Sequence, residues 1–137
     1  MIATVLMVAS AGLIFALGTL HLIYTFHGNK LTPRDPALRA RMDEVSPVIT
    51  RETTMWRCWI GFNASHSMAA MLFGLVYGYL AIAQREMLYG SPFLLIVGLL
   101  TLLGFFALGW RYWFSVPFTG IGIALVCYVA SVAVATF

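Results

Sequence analysis

The sequence predicts an all-α fold, an integral membrane four-helix bundle that forms a single transmembrane domain over residues 1–137. Hydrophobic residues make up 61% of the chain and charged residues 9%, and the mean hydropathy is +0.91. A soluble domain of this length leaves much of its surface in water, so it could not hide so many apolar side chains. Four apolar runs each reach the length of about 20 residues that a helix needs to cross a bilayer. They lie near residues 2–26, 58–83, 92–110 and 116–136.

The first run is expected to be a retained span. It has no basic segment before it, and its apolar stretch is longer than the h-region of about 7–15 residues in a cleaved signal peptide. The last three runs are separated by short connections, "QREMLYGS" and "RYWFS". Because short connections force neighbouring helices to run antiparallel, we expect a compact bundle.

The long first loop, residues 27–57, is predicted to contain a short amphipathic helix. Asp35 and Pro36 form a helix start signal, and apolar residues then recur at helical spacing. This helix either rests on the lipid headgroups or serves as a lid or docking surface. Ser46 and Pro47 repeat the start signal, which leaves open that the second long helix begins there.

Basic residues predict the orientation of the chain. Seven of the eight lie on the side of the first and third loops, and Arg85 alone lies on the other side. The positive-inside rule then predicts a multi-pass protein of the cell inner (cytoplasmic) membrane, with both termini outside and the long loop cytoplasmic. The acidic residues of the loop interleave with its cations, so the net charge of +3 indicates contact with anionic lipid headgroups and not with nucleic acid. The seven basic residues are Lys30, Arg34, Arg39, Arg41, Arg51, Arg57 and Arg111.

A polar block, "GFNASHS", interrupts the second apolar run. At about 100° per residue, Trp59, Asn63 and His66 share one sector of this helix with apolar and aromatic residues further along, and Ser67 borders it. An unpaired polar group in hydrocarbon costs several kcal/mol. We therefore expect this sector to face the interior of the bundle.

His21 is the expected counterpart on the first span. It shares a face with Ser10, Gly18 and Thr25, and at a rise of about 1.5 Å per residue it lies about 8 Å from the inner boundary, against about 12 Å for His66. The two imidazoles are therefore expected at similar depth, whereas His27 is expected to be an interfacial residue. They could bond to a neighbouring helix, line a pocket for a small ligand or headgroup, or bind haem or a metal.

The metal alternative has only His21 and His66 as candidate ligands, and the cofactor is unknown from the sequence. Glu52 lies on the correct face of the helix, but it is about 21 Å from His66 at the ideal helical rise. Arg111 is expected to anchor the third span at the interface; alternatively it meets an anionic ligand, or Glu52, near the histidines. The candidate ligand-binding residues are His21, Asn63, His66, Ser67, Trp59 and Arg111.

Small residues predict close helix packing. Gly74 and Gly78 form a small-xxx-small pair on the second span, and small residues at 120, 124, 127 and 131 form a stripe on the fourth. Cys58 and Cys127 lack the spacing of a redox or metal motif and are expected to be packing residues.

The blocks "LGTLHLIYTF", "SPVITRETTMWRCWIGFNASHS" and "RYWFSVPF" resemble an uncharacterised family of small bacterial four-span inner-membrane proteins. This resemblance covers most of the chain and implies a bacterial inner-membrane protein, but no known activity. The chain is also similar in topology to the membrane-associated eicosanoid and glutathione metabolism proteins, which are trimeric and bind glutathione. Arg57 and Asn63 match their second helix, whereas Ile60, Ala64 and Ser67 stand where charged residues would be expected.

Two functional hypotheses follow. In the first, the chain is a non-catalytic accessory subunit of a larger membrane complex, or a homo-oligomeric bundle, and its polar residues hold helices together. In the second, it is a membrane-embedded protein or enzyme that binds a small ligand, haem or a metal in a polar pocket between the first two long helices. This pocket would be lined by His21, Asn63 and His66 together with the aromatic residues Trp59, Phe73 and Tyr77.

Overall fold

The computed structural model describes residues 1–136, and within them the chain is all-helical. Four helices are long and apolar enough to cross a membrane, which confirms the predicted all-α four-helix fold of a multi-pass membrane protein. These four are α1, α3, α5 and α6. The six helices are α1 (Ile2–Phe26), α2 (Pro36–Glu44), α3 (Met55–Ala83), α4 (Arg85–Gly90), α5 (Pro92–Tyr112) and α6 (Ser115–Thr136).

Two helices begin where polar side chains cap their first turns. Asp35 precedes α2, and its carboxylate accepts a hydrogen bond of 2.9 Å from the backbone N–H of Ala37, as the start signal predicts. Ser91 precedes α5 in the same way and accepts from the N–H of Leu94. Each cap is followed by a proline, at Pro36 and at Pro92, whose fixed φ suits the first helical position.

The second long helix does not begin at Ser46. Residues 47–50 form a turn, in which the N–H of Thr50 donates to the carbonyl of Pro47, and α3 starts only at Met55. Val48, Ile49 and Thr50 are β-branched, which disfavours helix, and Val48 and Ile49 are exposed, so no packing compensates.

The connection "QREMLYGS" is more ordered than a simple turn. It contains α4, which the sequence pattern does not predict because a helix this short has room for very little apolar periodicity. Leu88 is fully buried and fixes α4 against the core. Tyr89, the next residue, donates a hydrogen bond through its hydroxyl to Ser131 of α6, since the only hydroxyl proton of Ser131 is donated to the carbonyl of Ala3.

The described chain divides into two compact units. The first unit contains Met1–Leu17 and the chain from Ala70 onward, which includes α4, α5 and α6. The second unit is Gly18–Ala69, which holds the end of α1, the long loop with α2, and the first half of α3. Both α1 and α3 therefore contribute residues to each unit.

The hydrophobic core belongs to the first unit. Met7 and Ile14 of α1, Leu102 of α5 and Tyr128 of α6 are each 0–1% exposed and belong to one cluster of buried residues. Tyr77 of α3 is also in this cluster. All four long helices thus contribute to a common core.

Two glycines allow the helices of the first unit to approach closely, as the small-residue pattern predicts for Gly74. A Cβ atom at Gly74 would lie 2.6 Å from the Cβ of Phe15 and 2.7 Å from the carbonyl oxygen of Ala11. A Cβ atom at Gly98 of α5 would overlap the side chains of Tyr77 and Tyr128.

The space at Gly98 admits two tyrosines, Tyr77 and Tyr128. The hydroxyl of Tyr77 donates to the carbonyl of Leu94 at 2.7 Å, and the hydroxyl of Tyr128 donates to the carbonyl of Leu95 at 2.9 Å. The two rings meet edge to face, with centroids 5.9 Å apart. α3 and α6 are therefore each bonded to the backbone of α5 near its start.

We predict that Gly74→Ala destabilises the protein by about 1–3 kcal/mol, because the new methyl group meets a backbone carbonyl that cannot move independently. The measurement is the free energy of unfolding in mixed micelles. Gly61→Ala, on the same helix, is the matched control, since nothing lies within 4 Å of a Cβ atom there. Equal stability of the two variants would contradict the close contact.

Ser10 and Ser131, both 0% exposed, give a second matched pair. The hydroxyl of Ser10 has no hydrogen-bond partner among residues 1–136. We expect Ser10→Ala to leave the free energy of unfolding unchanged or to raise it by up to about 1 kcal/mol. Ser131→Ala should lower it by about 1 kcal/mol or more, because the hydroxyl of Tyr89 and the carbonyl of Ala3 lose a partner. A larger loss of stability in Ser10→Ala than in Ser131→Ala would contradict these hydrogen-bond assignments.

Candidate functional site

The polar block and His21 meet in the second unit. His21 lies near the end of α1, and Asn63 and His66 lie on α3 three residues apart, so they point to the same side of that helix. Asn63 is 7% exposed and Ser67 is fully buried, as predicted for an inward face, whereas His66, in the same predicted sector, is only half-buried. Trp59 differs from them because 40% of its surface is exposed.

A chain of hydrogen bonds joins α1 to α3. The side-chain amide nitrogen of Asn63 donates to the carbonyl of Trp59 at 2.7 Å, so the amide oxygen is the atom that faces His21. That oxygen lies 2.9 Å from Nε2 of His21. Because an amide oxygen can only accept, Nε2 of His21 must carry the proton and donate it. In the neutral ring, Nδ1 of His21 is then an acceptor.

The ring of His66 packs against His21. The two ring centroids are 5.5 Å apart, and the planes meet at 82°, an edge-to-face arrangement. The sequence predicts that these rings lie at similar depth, and the structure brings them together. Among residues 1–136 no group of three or more His, Cys, Asp or Glu side chains is placed to hold a metal ion.

Hydroxyl groups beside this cluster bond within their own helices. The hydroxyl of Ser67 donates to the carbonyl of Asn63 at 2.8 Å, and the hydroxyl of Thr25 donates to the carbonyl of His21 at 2.8 Å. Ser65 bonds to the carbonyl of Phe62 and is exposed. Such bonds to the preceding turn satisfy a hydroxyl without a partner helix. The hydroxyl proton of Ser67 is therefore directed to the backbone and not to an imidazole.

Two of the three predicted aromatic pocket residues on α3, Phe73 and Tyr77, belong to the core of the first unit. Their rings stack with centroids 4.5 Å apart, and the hydroxyl of Tyr77 bonds to α5. Trp59, by contrast, stays in the second unit, where its indole N–H donates to the carbonyl of Leu31 at 2.9 Å. This bond ties the long loop to α3.

A cleft of about 270 Å³ opens in the second unit beyond the histidines. The sequence pattern does not predict this cleft, although aromatic residues at the ends of predicted spans are the signal that could have indicated it. It combines hydroxyl, aromatic and aliphatic groups from the end of α1, the loop and the start of α3. The lining residues are Tyr24, Thr25, Phe26, Gly28, Leu31, Thr32, Trp56 and Ile60.

The chain matches no family model, no curated protein and no solved structure. The resemblance to small bacterial four-span membrane proteins stays a prediction. A functional interpretation therefore depends on the geometry of the residues themselves.

Arg111, the remaining candidate, lies in the last turn of α5 and is exposed. Its guanidinium carbon is 5.4 Å from the ring centroid of Tyr112. An arginine that stacks on an aromatic ring at a helix end is typical of an interfacial anchor. The alternative role, as a partner for an anionic ligand near the histidines, stays a prediction.

The bond between His21 and Asn63 can be tested with a double-mutant cycle. We predict a coupling free energy of about 0.6–1.7 kcal/mol between His21→Leu and Asn63→Leu, the range of interhelical hydrogen bonds in membrane proteins. The measurement is the free energy of unfolding of the wild type, the two single variants and the double variant. The same cycle with Ser65→Ala in place of Asn63→Leu should show no coupling, because Ser65 bonds within its own turn. Additive effects in the first cycle would contradict the bond.

Proposed function

We propose that the chain is a non-catalytic multi-pass protein of the bacterial inner membrane that acts as an accessory subunit of a larger membrane complex or as a homo-oligomer. The observation that carries this proposal is the hydrogen bonding of the polar block. Asn63 uses its amide oxygen for His21 and its amide nitrogen for Trp59, and the hydroxyls of Ser67 and Thr25 donate to their own helices. The bond between His21 and Asn63 thus holds α1 against α3, whereas the hydroxyls of Ser67 and Thr25 are satisfied within their own helices and are not directed to a ligand.

The orientation in this proposal is that of the positive-inside rule. The loop that carries α2 lies in the cytoplasm, and both termini lie outside. α2 has no buried residue, and Leu38 is 52% exposed, which supports a helix that rests on lipid headgroups or on a partner. Partners of the chain are then the lipid bilayer and either another membrane protein or further copies of itself.

A second function, the binding of a small ligand, haem or a metal, is favoured by one observation. His21 and His66 bring two imidazole rings into contact within a chain of low charge. Ionisable side chains within membrane spans frequently mark functional sites. In this alternative, Nδ1 of His21 and the ring of His66 would face the bound species.

Native mass spectrometry of protein extracted in mild detergent separates the two functions. We expect the wild type to be free of metal, haem and small-molecule ligands other than lipid, and to occur as a homo-oligomer or with a protein partner. His66→Leu should leave the bound species unchanged and change only stability or association. A mass that is present in the wild type and lost in His66→Leu, with the helical circular dichroism retained, would overturn the proposal in favour of the ligand site.

A further inference from the structure

We propose that the cleft of the second unit binds the headgroup of an anionic phospholipid, with Lys30 and Arg39 as the residues that attract its phosphate. This inference is independent of the role of the histidines, because neither His21 nor His66 lines the cleft. Three observations support it: two cations stack on rings that line the cleft, the lining is both polar and apolar, and aromatic residues typical of the interface surround the cleft.

Two cations lie beside the cleft, each against an aromatic ring that lines it, although neither cation is itself a lining residue. The ammonium nitrogen of Lys30 lies 4.7 Å from the ring centroid of Tyr24, and the guanidinium carbon of Arg39 lies 3.6 Å from that of Trp56. Both rings line the cleft. The positive charges of Lys30 and Arg39 therefore lie next to the cleft, which favours an anion over a further cation there.

The charges around the cleft favour an anion even after the neighbouring carboxylates and helix ends are taken into account. Arg39 forms an ion pair with Asp43, which uses one of its five N–H donors and leaves others available. Lys30 has no carboxylate within ion-pair distance among residues 1–136. The C-terminal end of α1 contributes partial negative charge, but Lys30 lies beside that end. The first turn of α3, which contains Trp56, contributes partial positive charge.

The mixed lining of the cleft favours a lipid headgroup over free phosphate as the ligand. Phe26, Leu31 and Ile60 form an apolar part of the wall, whereas Thr25 and Thr32 bring hydroxyl oxygens. The cleft, at about 270 Å³, is too small for a whole phospholipid but suits a headgroup whose acyl chains extend outside. Tyr24 and Trp56 lie at the end of α1 and the start of α3, where tyrosine and tryptophan prefer the level of lipid headgroups.

The test is native mass spectrometry of the full chain in a neutral detergent, which removes any charged bilayer surface. The probes are phosphatidylglycerol, phosphatidylcholine with the same acyl chains, and glycerol 3-phosphate as a competitor without chains. We expect the wild type to retain phosphatidylglycerol more strongly than phosphatidylcholine. Lys30→Gln/Arg39→Gln should weaken retention of phosphatidylglycerol by about tenfold or more, because its phosphate loses two charged hydrogen-bond donors.

The control variant is Arg34→Gln/Arg51→Gln, which removes the same charge from exposed positions of the same loop. It should retain phosphatidylglycerol to within about twofold of the wild type. Lys30→Arg keeps the positive charge and should also retain phosphatidylglycerol. Binding by this variant would show that the charge at position 30, and not a disturbed fold, accounts for the loss in Lys30→Gln/Arg39→Gln. An equal loss in the control variant, equal retention of phosphatidylcholine, or displacement by equimolar glycerol 3-phosphate would overturn the proposal.

Discussion

A hydrocarbon environment supplies no hydrogen-bond partner, so a polar side chain on a membrane span is costly unless it bonds within the protein or reaches the interface. Four hydroxyl groups on the spans find their partner within their own helix. Thr25, Ser67, Thr101 and Thr136 each donate to the carbonyl four residues earlier in the same helix. These bonds make the residues tolerable in lipid but give them no role in choosing a neighbouring helix. Specific contact between helices therefore depends on the few side chains that reach further.

Side chains that bond to a second helix lie at the contacts between the long helices in each unit. In the second unit the contact is between His21 and Asn63. In the first unit Tyr77 and Tyr128 bond to the backbone of α5, and Ser131 bonds to that of α1. A side chain can reach a carbonyl that is already part of a helix only where the helices approach closely, and at α5 the missing side chain of Gly98 provides this approach. Small residues and polar residues thus act together.

The periodicity of the sequence is sufficient to predict that Asn63 and Ser67 are buried, but not that Trp59, in the same predicted sector, is 40% exposed. Asn63 and Ser67 point inward and Ser65 outward because about 100° separates successive residues of any helix. Periodicity says nothing about the partner of an inward side chain. The bond from Trp59 to the carbonyl of Leu31 and the stacking of Arg39 on Trp56 depend on how the loop returns over α3. The cleft arises from that same return of the chain, so the sequence does not reveal it.

Charge is distributed very unevenly between the two units. Ten of the thirteen charged residues and all three histidines lie in Gly18–Ala69. The core of the first unit is instead held by apolar side chains and by neutral hydroxyls such as those of Tyr77 and Tyr128. Neutral hydrogen bonds and packing are nearly independent of salt, whereas interactions of exposed charges are screened by it. The first unit thus has the properties of a scaffold, and the recognition of lipid or of a partner that we propose would use the second unit, which holds most of the charge.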